Sequence, residues 1–243
     1  MCGNDKLKLS MRFLITAGGT REYIDPVRFI SNASSGKMGY ALVRAALKAG
    51  HKVTLISASD LQPPVGVEFV GVDTAADMFA AVKKFFAECD CLIMAAAVAD
   101  YTPVRVAKTK IKKTDKDLII KLKPTADILK WAGKNKRHKG TKAQRQIVVG
   151  FALEDKAIRT QAEKKLKEKN LDMIIANTPA AVGSDTASIQ IKTLGSKWLK
   201  LTQTDKTTIA KKIISMIEGC FVENFCFGHF EQRTRRVRSR EIY

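Results

Sequence analysis

A three-layer, doubly wound α/β fold on a mostly parallel sheet, ending in a C-terminal hairpin, is predicted by three features of this 243-residue sequence. Short runs that are apolar throughout alternate with longer segments of helical period. The runs show no apolar-polar alternation, as expected of strands buried on both faces by helices. Glycines and small polar residues close the runs, where a strand must turn into a helix.

Arg12 to Ala17 is the first such run, stopped by Gly18-Gly19. A loop is expected through Ser35, then a helix from about Gly36 to Ala49 with Met38, Leu42, Ala45, Ala46 and Ala49 on one face and Gly50 as its stop. His51 to Ala58 and Val67 to Val72 read as strands; Thr74 caps a helix with Met78, Phe79, Val82, Phe85 and Phe86 inward, and Cys91 to Ala97 is the next strand. Residues 101 to 116 are basic and unperiodic, which predicts a long loop over a ligand. Leu118 to Leu122 alternates like a strand, and Thr125 or Asp127 starts a short helix through Trp131. The basic segment at 134 to 145 belongs on the surface, followed by a strand at Ile147 to Ala152, a lysine-rich helix at 155 to 170, and a strand at 171 to 177. A hairpin turned at Gly195-Ser196 and a helix burying Ile209, Ile213, Ile214 and Ile217 complete the fold. The domain is thus expected at 11 to 218, with 219 to 243 a peripheral basic tail.

The formal net charge of +19 favours anionic partners such as nucleotides, phosphorylated metabolites or nucleic acid, and does not choose among them. The opening residues lack a signal-peptide core and no apolar run is long enough to span a bilayer, so a cytoplasmic protein without membrane contact is expected. Five scattered cysteines without a CxxC pair argue against a disulfide framework or a zinc site, and the three histidines stand far apart.

Two loops fall where such a sheet binds ligands, at the carboxyl ends of its strands. Gly18-Gly19-Thr20 and Ser34-Ser35-Gly36-Lys37 would both aim backbone N–H groups outward, and a helix N-terminus there favours anions. The stretch is neither a Walker loop, which needs Gly at 31 and Ser or Thr at 38 where Ser31 and Met38 stand, nor a GxGxxG turn. Taken alone, the glycines fit strand-to-helix turns as well as a phosphate cradle. Asp100, after the small-residue run AAAVA, is suited to sugar hydroxyls or to capping a turn. Lys110-Ile111-Lys112-Lys113 is suited to a polyphosphate or to a solvated surface.

In combination, GGTREYIDPVRFISNASSGKMG, AAAVADY, KIKK, VGFALED and KKLKEKNLDMIIAN resemble the phosphopantothenate-cysteine ligase family over residues 11 to 218. The resemblance implies a Rossmann-like ligase of the bacterial CTP-dependent type, the ligase half of a bifunctional coenzyme A biosynthesis flavoprotein. In that reaction the carboxylate of 4'-phosphopantothenate attacks the α-phosphate of CTP, and the amine of L-cysteine displaces CMP from the acyl-cytidylate. By the same resemblance Asn32, Lys110 and Arg28 are catalytic. Gly18, Gly19, Ser34, Ser35 and Gly36 shape the phosphate cradle, and Met94, Ala95, Ala96, Asp100, Lys110, Phe151, Lys165 and Lys169 bind nucleotide. Thr125, Ala126, Asp127 and Ile128 fall in the family's Pro-Asp-Ile-Leu segment, although the proline here is shifted to Pro124.

The implied co-substrate is CTP rather than ATP, with Mg2+ and without FMN. The implied assembly is a homodimer, with a flavin-dependent decarboxylase as a separate partner because nothing of that size precedes Met11. A nonenzymatic nucleotide- or RNA-binding module is the alternative, disfavoured because no aromatics accompany the lysine clusters; no nucleic-acid partner is expected.

Overall fold

The computed structural model describes residues 10–137, 145–178 and 183–221. In chain order its strands are β1 (Arg12–Ala17), β2 (Arg21–Tyr23), β3 (Phe29–Ser31), β4 (Lys52–Ser57), β5 (Glu68–Gly71), β6 (Cys91–Met94), β7 (Tyr101–Pro103), β8 (Leu122–Pro124), β9 (Ile147–Leu153), β10 (Met173–Asn177), β11 (Thr186–Thr193) and β12 (Leu199–Asp205). The helices are α1 (Lys37–Lys48), α2 (Ala75–Phe86), α3 (Ile128–Asn135), α4 (Ile158–Glu168) and α5 over 206–221.

Eight strands form the central sheet in the order β12-β11-β10-β9-β6-β1-β4-β5. The six from β5 to β10 are parallel, and the β11–β12 hairpin extends the β10 edge antiparallel. The chain builds outward from β1 through β4 to β5, then returns to lay β6 on the other side of β1. That reversal makes the crevice beyond the ends of β1 and β6 the expected ligand position.

Strand residues alternate between two cores. Phe13, Ile15, Leu55, Ile93, Val149 and Ile175 pack under α1 and α5, whereas Leu14, Ile56, Leu92, Val148 and Ile174 pack under α2, α3 and α4. Both faces are therefore apolar, which is why the runs lack alternation, and the three layers follow. Thr74 caps α2 through a reciprocal capping box with Asp77. Among the described residues no helix is long and apolar enough to cross a membrane.

Three local expectations are corrected. The span between β1 and α1 is not all loop, because β2 and β3 pair as a hairpin, Arg21 opposite Ser31. β6 ends at Met94 rather than Ala97: the Thr16 hydroxyl takes the Ala96 N–H at 3.2 Å, and Ala97 bridges to Gly18 and Thr20 instead of continuing the ladder. The strand expected at Leu118 to Leu122 lies at β8, antiparallel to β7. Its register is set by Thr125, whose N–H bonds Asp100 O at 2.9 Å and whose hydroxyl bonds Ala99 O at 2.6 Å. The tail beyond 221 and most of the basic segment at 134 to 145 lie outside the described residues.

Candidate functional site

A cleft of about 600 Å3 opens at the point where the strand order reverses. One wall is the segment from Asn32 to Gly39; the floor is Met94 to Val98; the far wall brings Thr125 to Leu129, Phe151, Lys165 and Lys169 to the same space. Residues from five separate stretches of sequence thus converge. Of the residues assigned to the site by sequence, Asn32, Ser34, Ser35, Gly36, Met94, Ala95, Ala96, Asp100, Thr125, Ala126, Asp127, Ile128, Phe151, Lys165 and Lys169 line it.

Gly18 and Gly19 lie beneath this surface and shape it from below. Gly18 has φ +83°, and a Cβ there would stand 2.6 Å from Ser59 N; Gly36 has φ +77° and meets Ser59 from the other side, at 2.8 Å. Side chains at either position would push the β1 turn away from the start of α1. Ser59, not singled out from sequence, also donates to Ser35 O at 3.0 Å. A Cβ on Gly19 would lie 2.5 Å from Asn32 O, so the absence of one lets Asn32 approach the floor.

Asn32 uses that approach. Its Nδ2 donates to Val98 O at 3.1 Å and Ala97 O at 3.4 Å, which pins the amide across the ends of β1 and β6 and leaves Oδ1 for a substrate group. The floor itself is braced by hydroxyls: Thr16 holds Ala96 N, Thr20 holds Ala99 N at 2.9 Å, and Thr125 holds Ala99 O.

Among the described residues four lysines line the cleft, and three of them are already paired with carboxylates. On the α3–α4 side Lys165 Nζ lies 2.6 Å from Glu154 Oε1, and Lys169 Nζ lies 2.9 Å from Asp127 Oδ2. Asp127 also caps α3 by accepting from Lys130 N. Burial acts to raise its pKa, but the Lys130 N–H and the Lys169 ammonium outweigh this and hold it below the usual carboxylate value. On the α1 side Lys37 pairs with Asp185 at 2.7 Å, and Lys206 lines the same region. Burial, then the Lys37 charge, holds Lys206 below the ordinary lysine value against the pull of Asp185. Lys206 was missed because it lies far from every motif, at the start of α5.

The chain matches the family model described as "DNA/pantothenate metabolism flavoprotein C-terminal domain" over residues 9–220. It belongs to this family. It is 48% identical over 184 residues to the coenzyme A biosynthesis bifunctional protein CoaBC of Bacillus subtilis, covering 73% of this chain and 44% of that protein. The crystal structure of the C-terminal domain of a CoaBC protein superposes with a TM-score of 0.75 at 38% identity, over 89% of this chain and 98% of that one. A Cab2 mutant in complex with phosphopantothenate-cysteine shares the fold, with a TM-score of 0.71 at 18% identity over 92% of this chain and 90% of that one. The chain spans about half the length of the curated relatives it matches.

Besides Gly18 and Gly19, two further sequence-assigned residues lie off the cleft walls. Arg28, at the β2–β3 turn, pairs with Asp25 at 3.5 Å and donates from Nη2 to Ile111 O at 2.6 Å. Lys110 is exposed on the segment between β7 and β8, one residue before that contact. Arg28 and Lys110 are thereby brought together through Ile111, in a structure that sequence spacing did not reveal. No cluster of three or more His, Cys, Asp or Glu suited to a metal occurs among the described residues. A nucleotide-bound Mg2+ needs only one or two carboxylates beside the phosphates, and Asp100, exposed at the cleft edge, fits that requirement.

Proposed function

We propose that this chain joins 4'-phosphopantothenate to L-cysteine through an acyl-cytidylate, releasing pyrophosphate and CMP, as the ligase step of coenzyme A biosynthesis. One observation carries the reading: a single cleft is lined by an anchored asparagine amide and by four lysines, Lys37, Lys165, Lys169 and Lys206. Activating a carboxylate with a nucleoside triphosphate brings two anions together, so it requires cations at both ends and a neutral polar group where they meet.

Lys165 and Lys169 face the nucleotide, with Phe151 and the β6 floor against its base. Lys110 stabilises negative charge on the α-phosphate as the carboxylate attacks. Asn32 Oδ1 orients the cysteine amine toward the acyl carbon, while Nδ2 stays on Val98 O. Magnesium, when bound with the nucleotide, supplies charge neutralisation, and Asp100 is the residue to hold it. CTP is the preferred nucleotide, since the motif wording follows the bacterial branch. The protein acts as a homodimer in the cytoplasm, a location that unpaired Cys89 and Cys91 suit. Its partner is a separate flavin-dependent decarboxylase that supplies the preceding or following step.

The test is pyrophosphate release with phosphopantothenate and Mg2+, comparing CTP with ATP, each with and without cysteine. Release with CTP that yields phosphopantothenoylcysteine once cysteine is added is the expected result. Silence with both nucleotides in folded protein overturns the reading.

A further inference from the structure

The mechanism leaves the buried carboxylate of Asp25 unused. Asp25 sits in the β2–β3 turn with its side chain wholly buried. Its Oδ1 accepts from Val27 N at 2.8 Å and Arg28 N at 2.9 Å, which closes the turn on itself. Its Oδ2 reaches across 86 positions of sequence to accept from Ile111 N at 3.1 Å. Arg28, paired with the same carboxylate, donates to Ile111 O. Both polar groups of the Ile111 backbone are therefore held by one Asp–Arg pair, and Ala107 N is tied to Ile24 O at 2.9 Å in the same turn.

The N–H of Ile111 belongs to the peptide bond that joins it to Lys110. Clamping that peptide fixes the plane from which the Lys110 side chain departs. The basic residues around it, Lys112 and Lys113, are exposed. A charged group used on a reacting phosphate must be in place before reaction, because a displacement of about 1 Å costs on the order of a hundredfold in rate. A carboxylate is the suitable clamp, since it accepts several N–H bonds at once and each is strengthened by its charge.

We infer that Asp25 is a positioning residue for the proposed ligase reaction: with Arg28 it holds the Lys110–Ile111 peptide so that Lys110 meets the nucleotide α-phosphate. Arg28 contributes through this clamp. The inference rests on the ligase reading, and its test separates the two.

The variants are Asp25→Asn, Lys110→Gln and the double variant, with Arg28→Lys as the substitute should Asp25→Asn fail to fold, because it keeps the charge and loses the Nη2 bond to Ile111 O. Three quantities are read: the rate of pyrophosphate formation, CTP affinity, and hydrogen exchange at the Ile111 amide. Asp25→Asn is expected to lower the rate by about tenfold or more with CTP affinity within about twofold, and the double variant to be no slower than Lys110→Gln alone. Exchange at Ile111 speeds up at least about tenfold more than exchange at core amides such as Ile213, which speeds up only as far as the global loss of stability requires. Additive losses in the double variant, or unaltered Ile111 exchange, overturn the clamp. Absent pyrophosphate formation in the wild type counts against the ligase reading, and the exchange measurement still decides whether Asp25 holds Ile111.

Discussion

Asn32 is placed by what is missing opposite it. With no Cβ on Gly19, the Asn32 backbone sits against β1 and its amide reaches the carbonyls at the end of β6. Asn32→Asp removes the Nδ2 donor and puts a carboxylate beside the attacking amine, where it favours the ammonium form that has no lone pair. Amide formation is expected to fall by at least about a hundredfold while pyrophosphate release falls by less than about tenfold; equal losses in the two assays would remove the division of labour. Asp25 carries a prediction of a different kind. Burial acts to raise its pKa, but the N–H groups of Val27, Ile111 and Arg28 and the Arg28 charge outweigh burial and hold it below the ordinary carboxylate value. A carboxylate lowered on folding stabilises the fold fully above its unfolded pKa, about 3.9, and loses that contribution as pH falls through the folded value. In urea unfolding, the stability gap between wild type and Asp25→Asn is therefore expected to stay constant from pH 7 to 5 and to narrow below about pH 4. A gap unchanged at pH 3 would show that the charge is not what stabilises the turn.

The elements of the main sheet were legible because burial on both faces writes a continuous apolar run, and β1, β4, β9 and β10 fall within a residue or two of those runs. β2, β3 and β7 were not, and β8 was expected too early at Leu118 to Leu122, because three-residue strands outside the main sheet bury too little to impose a period. The site divides in the same way. Residues carried by contiguous motifs converge on the cleft, whereas the Asp25–Ile111 contact and the Lys37–Lys206 neighbourhood join positions that no local pattern relates. The packing of α3 on the end of α4 shows how an element sets a functional group without touching ligand. A Cβ on Gly133 would lie 1.8 Å from Lys169 O, and Asn170 Nδ2 donates to Gly133 O at 2.8 Å. The two helices meet backbone to backbone there, which brings Asp127 at the start of α3 to Lys169. Gly133→Ala must part them. It is expected to cost about 1–3 kcal/mol of stability by urea unfolding and to weaken CTP binding several-fold. Unaltered CTP affinity in the destabilised variant would show that the Asp127–Lys169 pair does not depend on this contact.

At the scale of the whole molecule, the two small ribbons form a unit of their own beside the sheet. β2–β3 carries exposed Val27 and Phe29; the β7–β8 segment carries exposed Tyr101, Leu118 and Ile119, the last 89% accessible. On a chain with a net charge of +19, the ribbons that support both Asn32 and Lys110 thus carry several exposed apolar side chains, with Leu61, Val65, Phe69, Leu153 and Leu194 exposed elsewhere. We propose that a second copy of the chain covers these side chains, since a twofold pairing of the ribbons supplies a self-complementary surface. Light scattering is accordingly expected to give twice the 26.8 kDa chain mass. Leu118→Glu with Ile119→Glu places four carboxylates at a twofold interface, where like charges repel and lose solvent. The pair should yield a folded monomer whose urea midpoint no longer depends on protein concentration. Because the β7–β8 ribbon also bears Lys110, the monomer should retain CTP binding at the α3–α4 end of the cleft and lose pyrophosphate formation. A variant that stays dimeric places the interface elsewhere on the molecule, and a monomer with full activity separates the ribbon's apolar surface from catalysis.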